Sequence, residues 1–127
     1  MVPKPLTYIA LDWARRCFGD AHINNWPLRS LRIAEEAVEL TQAYDIPREK
    51  MHALVDMVYS RPKGRADQEL GGVLLTATVL AASKGADPEQ FFLVELARVL
   101  AKPPAEFAKR NQEKIDLGMM AYADPPI

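Results

Sequence analysis

The chain has one cysteine in 127 residues, so it can close no internal disulfide and build no thiolate zinc site. That excludes the disulfide-stapled secreted scaffolds and points to a reducing, cytoplasmic compartment. No apolar run approaches the roughly 18 residues that span a bilayer, and no signal-like stretch follows Met1-Val2-Pro3-Lys4-Pro5. Charge of one sign is missing too: 16 Lys+Arg stand against 17 Asp+Glu, for a net charge of −1. Such a balance offers no global field to nucleic acid or to an anionic membrane, so any phosphate site has to be local. Nowhere do β-branched residues alternate with polar ones over the length of a strand, which argues against a sheet.

What is there is helical patterning, rich in Ala, Leu, Glu, Arg and Met, with prolines and glycines falling between the apolar-periodic stretches. The spacing predicts helices over residues 7–18, 27–44, 47–59, 66–84, 88–101 and 105–117. Ile9, Trp13 and Cys17 mark the apolar stripe of the first, and Ile33, Ala37, Leu40 and Tyr44 that of the second. Met51, Leu54, Val55 and Val58 do the same for the third. The fourth carries no charge from Leu70 to Ser83, as expected of a helix enclosed by others. Asp87 followed by Pro88 signals the start of the fifth. The expectation is one all-α domain over 1–127: a bundle of five to six helices around a central apolar helix. Its core covers about 7–101, its charged last helix about 105–117, and a loose tail 118–127. The uncharged helix needs cover on every side and the chain has few helices to give it, so a homodimer or homotetramer is expected.

Chemistry begins on the second helix. At about 100° per residue, Arg29, Arg32, Glu36 and Glu39 fall within about 80° of one another, bordering the apolar side. Two acids one turn apart repel unless a cation lies between them. One reading makes this a solvated face on which Arg32 pairs with Glu36. The other places a hard divalent cation there, magnesium or manganese, because the donors are carboxylate oxygens with no thiolate among them. A metal would need an acid from another helix, and Glu69, at the start of the uncharged fourth helix, is the candidate. Its alternative role is that of a first-turn acid favoured by the helix dipole.

These residues resemble the MazG-like all-α nucleoside triphosphate pyrophosphohydrolases, in particular the compact phage and bacterial type. The likeness runs from about Trp13 to Ala101. Glu36-Ala37-Val38-Glu39 matches the family's first acidic pair, and Glu69-Leu70-Gly71-Gly72 falls where the second belongs. Gly72 stands in place of the last acid. The resemblance implies magnesium, or manganese, held by Glu36, Glu39 and Glu69, with water or Asp56 in the remaining position. It also implies hydrolysis of a nucleoside or deoxynucleoside triphosphate to the monophosphate and pyrophosphate. Arg32, Arg61, Lys63 and Arg65 are the candidate phosphate cations, with Lys109, Arg110 and Lys114 further along. Trp13, His22, Asn25 and Trp26 surround the entrance to the acidic helix and could supply the aromatic wall and amide that a base requires. Trp13 as core and Trp26 as a staple before Pro27 are the competing assignments.

Other classes fare worse. A di-iron bundle needs two Glu-x-x-His motifs and only Glu49/His52 is present. A helix-turn-helix DNA binder lacks a basic recognition helix. A catalytically silent module that binds a nucleotide or a protein through the same cleft is the serious alternative, and Gly72 is what favours it.

Overall fold

A computed structural model describes residues 4–119, and among them every regular element is a helix. The order is α1 (Lys4–Phe18), α2 (Asp20–Ile23), α3 (Trp26–Ala43), α4 (Arg48–Tyr59), α5 (Ala66–Ser83), α6 (Pro88–Leu100) and α7 (Pro104–Asp116). Six match the six stretches predicted from spacing to within a few residues at each end. The addition is α2, whose four residues are too short to show a period. Of the expected tail over 118–127, residues 120–127 lie outside those described.

The punctuation acts as its chemistry requires. Gly19 ends α1 at φ 82°, a left-handed conformation that favours glycine. Asn25 caps α3, its Oδ1 accepting the Leu28 N–H at 3.2 Å. Asp87 Oδ1 accepts the Glu89 N–H at 3.0 Å as α6 begins, the cap that the Asp87-Pro88 pair signals.

The chain divides into two units. The terminal unit comprises Met1–Glu35 with Phe92–Ile127, and the middle unit comprises Glu36–Phe91. In the terminal unit α1 lies against α7 and against α2. Ala14, Cys17, Ile23, Leu28, Leu96 and Val99 are its buried apolar residues. Ile9, expected on the same stripe, is 42% exposed. Trp13 meets Phe107 of α7 edge-on at 5.2 Å between ring centroids, and Phe18 edge-on at 6.0 Å.

The middle unit departs from expectation. Helices α4 and α5 bury no residue. Leu74, Leu75 and Val79 of α5 are 62%, 67% and 59% exposed. The apolar stripe of α4 is uncovered as well, at Leu54, Val55 and Val58. A helix this apolar is built to be enclosed, yet the described chain leaves α5 open. Near its C-terminus the Lys84 ammonium donates to the Tyr44 hydroxyl at 3.0 Å and sits 5.5 Å from that ring's centroid.

Candidate functional site

The acids singled out in the sequence belong to the middle unit. Glu36 and Glu39 lie one turn apart on α3, Asp56 is on α4, and Glu69 is in the first turn of α5; all four are exposed. Within a single chain, no three His, Cys, Asp or Glu side chains gather closely enough to hold a metal ion among the described residues. Glu69 folds back toward the loop ahead of its helix, and a Cβ built on Gly64 would lie 2.5 Å from Glu69 Oε1. Glycine at 64 therefore permits this close approach of the carboxylate to the backbone. The same loop carries Arg61, Lys63 and Arg65, all exposed.

Arg32 has a definite partner in the terminal unit. It forms an ion pair with Glu35, and Lys114 of α7 donates to the same Glu35 oxygen at 2.8 Å. Burial works against the Glu35 carboxylate, but the Lys114 hydrogen bond and the Arg32 charge hold it below the usual carboxylate range. The sequence gives no hint of Glu35 in this role, because the Lys114 contact bridges 79 positions along the chain.

The residues proposed for a base separate. Trp26 is 79% exposed, and Trp13 takes part in the aromatic cluster of α1 and α7. Asn25 and His22, by contrast, line a cleft of about 440 Å³ in the terminal unit, within the size range of small-molecule sites. Its walls come from α1, α2, the α3 cap and α7, with Phe18 and Leu28 apolar and His22, Asn25, Asn111 and Gln112 polar.

Two polar side chains behind the cleft are almost wholly buried. His22 and Asn111 are 8% and 9% exposed, and neither His22 ring nitrogen nor Asn111 Oδ1 has a well-formed hydrogen bond among the described residues. Burial, followed by the Arg29 charge, pushes the His22 imidazole below the ordinary histidine range; a side-chain hydrogen bond with Asn111, of imperfect geometry, works the other way. The ring is thus neutral near pH 7, offering one donor and one acceptor. His22 stacks on Phe18 at 5.2 Å, and the Arg29 guanidinium lies 5.3 Å from the same ring's centroid. Arg29 Nη1 is buried without a partner, and burial together with Arg32 disfavours its charge.

Sequence reasoning missed Asn111, which sits amid charged neighbours on α7. The available signal is its register: Phe107, Asn111 and Ile115 recur every fourth residue, which places an amide on the helix's inward stripe. No family model matches the chain, and no curated protein or solved structure matches it.

Proposed function

We propose that the chain is a metal-dependent nucleotide pyrophosphohydrolase, cleaving a nucleoside or deoxynucleoside triphosphate to the monophosphate and pyrophosphate, and that it works as a homodimer or homotetramer. The observation that carries this reading is the placement of the acids on uncovered apolar helix surface. Leu40, 44% exposed, follows Glu36 by one turn, and Leu70 and Val73, 49% and 45% exposed, adjoin Glu69. A second copy covering these surfaces takes the carboxylates out of water with their apolar neighbours, and carboxylates without water need a cation. Oxygen-only donors suit magnesium and also manganese.

Glu36, Glu39 and Glu69 would hold the metal, with Asp56 or water as the further ligand. The metal supplies neutralisation of phosphate charge and a more acidic water. The chain's own part is to fix the carboxylates and to balance a polyanion. Arg61, Lys63 and Arg65, on the loop against which Glu69 folds, provide exposed cations for the phosphate oxygens.

Gly72, where the resemblance places a fourth acid, favours a second reading: a silent module that binds a nucleotide or a protein without turning it over. Pyrophosphate release from a panel of ribo- and deoxynucleoside triphosphates, with and without magnesium or manganese, separates the two. Metal-dependent release is expected, falling at least about 100-fold in Glu36→Gln and in Glu39→Gln. No release from any triphosphate, with nucleotide still raising the melting temperature, establishes the silent module.

A further inference from the structure

Helices α4 and α5 are almost bare. Met51 apart, every residue of α4 is exposed, and, Ala81 apart, so is every residue of α5. Neither helix sustains itself on those terms. The 12 residues of α4 are too few to stay helical in water without packing. The 18 of α5 include the adjacent Gly71 and Gly72 and the β-branched Val73, Thr76, Thr78 and Val79, all weak helix formers. With no charge from Leu70 to Ser83, no ion pair one turn apart supports that stretch either.

Something has to cover α5, and its chemistry narrows the choice. A lipid surface takes a helix with one apolar and one charged face. This one is uncharged around its whole circumference, and no described helix is long and apolar enough to cross a membrane. A second copy of the chain fits better. The apolar side chains exposed on α4 and α5 present an area on the order of the roughly 800 Å² that each partner brings to a stable interface. The charges flanking α5 are also antisymmetric. Outward from its middle, one end carries Glu69 and Asp67 and then Arg65 and Lys63; the other carries Lys84 and then Asp87. All six are exposed. A copy laid antiparallel across a two-fold axis meets opposite charge at both ends, whereas a parallel copy meets its own.

We propose that α5 pairs antiparallel with α5 of a second copy, and that α4 and α5 fold only as this pairing forms. The inference rests on the assembly proposed above and not on the hydrolase activity. A dissociated chain keeps its terminal unit, whose buried residues and Trp13–Phe107 contact are its own, and loses α4 and α5. Asp56 and Glu69 lie on those two helices, so the acid set exists only in the assembled state. Activity that depends on it then falls more steeply than protein concentration on dilution.

The test follows association and helix content together in the whole chain. Dissociation, reached by dilution or by Leu75→Glu and read by sedimentation, is expected to remove about a third of the helical ellipticity, the share that α4 and α5 hold among the described helices. Glutamate is as good a helix former as leucine, so the substitution alone removes none of it. Amide exchange is expected to accelerate in α4 and α5 and to stay slow in α1 and α7. In a Trp26→Phe background Trp13 is the sole tryptophan, and its near-ultraviolet circular dichroism is expected to persist. Orientation is read by cross-linking in Cys17→Ala chains: Gln68→Cys copies are expected to link to Ser83→Cys copies and not to one another. Linkage among Gln68→Cys copies, or none of either kind, overturns the antiparallel pairing. Dissociated chains that keep their full helix content leave the assembly standing and overturn the coupled folding, whereas absence of association at any concentration overturns both. Loss of the Trp13 signal in step with the helices also overturns the proposal. None of these readouts needs pyrophosphate release, so failure of the hydrolase reading is seen separately.

Discussion

The two units of this chain satisfy their side chains in different ways. The terminal unit closes on itself: α1 and α7 share an aromatic cluster, Glu35 is held by Arg32 and Lys114, and six apolar residues are buried. The middle unit is the more apolar in its central element, yet α4 and α5 enclose nothing. Hydrophobicity alone therefore does not locate a core. A core forms where several elements of the same chain converge, and an apolar helix without such neighbours leaves a face that a second molecule can cover.

The sharpest way to break this contrast is a charge on the open face of α5. Leu75→Glu is expected to dissociate the proposed assembly, weakening self-association at least about 100-fold, or roughly 3 kcal/mol, as read by sedimentation equilibrium. If α5 is exposed in the working protein, the same change stays within about 0.5 kcal/mol and leaves sedimentation unchanged. The terminal unit gives a smaller effect that does not depend on association. Lys114→Met leaves Glu35 with one cation fewer and is expected to cost about 1 kcal/mol at pH 7, discounted for the partial exposure of both groups. Because the folded-state pKa of Glu35 is depressed, this stabilisation is present above its unfolded value and is lost as pH falls through the folded one. Denaturation midpoints of wild type and Lys114→Met should therefore converge in acid, below about pH 4.

The smallest effect belongs to His22. Its folded-state pKa is also lowered, so between the folded and unfolded values the unfolded chain binds more protons. Stability is then expected to decline as pH falls below about 6.5, and His22→Gln should flatten that part of the profile in urea melts. An unchanged slope would mean that the ring is free to take its proton in the folded state, and with it the contrast between a closed terminal unit and an open middle one would lose a support.

Most of the helical framework is legible in the sequence because its signals are local. Period, proline, glycine and capping acid need only a few neighbouring residues, and they place α1 and α3 through α7 to within a few positions. Helix α2 escapes because four residues carry no period, although Gly19 and Asn25 bracket it. Asn25 shows a subtler limit: as an amide near the acidic helix it reads as a base contact, and its part as a cap bordering the cleft is evident only in the structure. Burial was the less legible property. The hydropathy of α5 is plain in the sequence, but what covers it is a matter of neighbours that local pattern does not encode. The same limit hides Glu35 and Asn111, whose significance comes from residues far away along the chain.

The glycine at position 64 gives experimental access to the acid at 69 without altering that acid. A methyl group there would fall 2.5 Å from Glu69 Oε1, so the flexible carboxylate has to swing aside while its charge, its helix and its backbone stay as they are. Replacing an acid by its amide asks whether charge is needed. Gly64→Ala asks instead how far that charge can be displaced before it stops counting, which makes the loop a ruler for the proposed chemistry rather than only a connector between two helices.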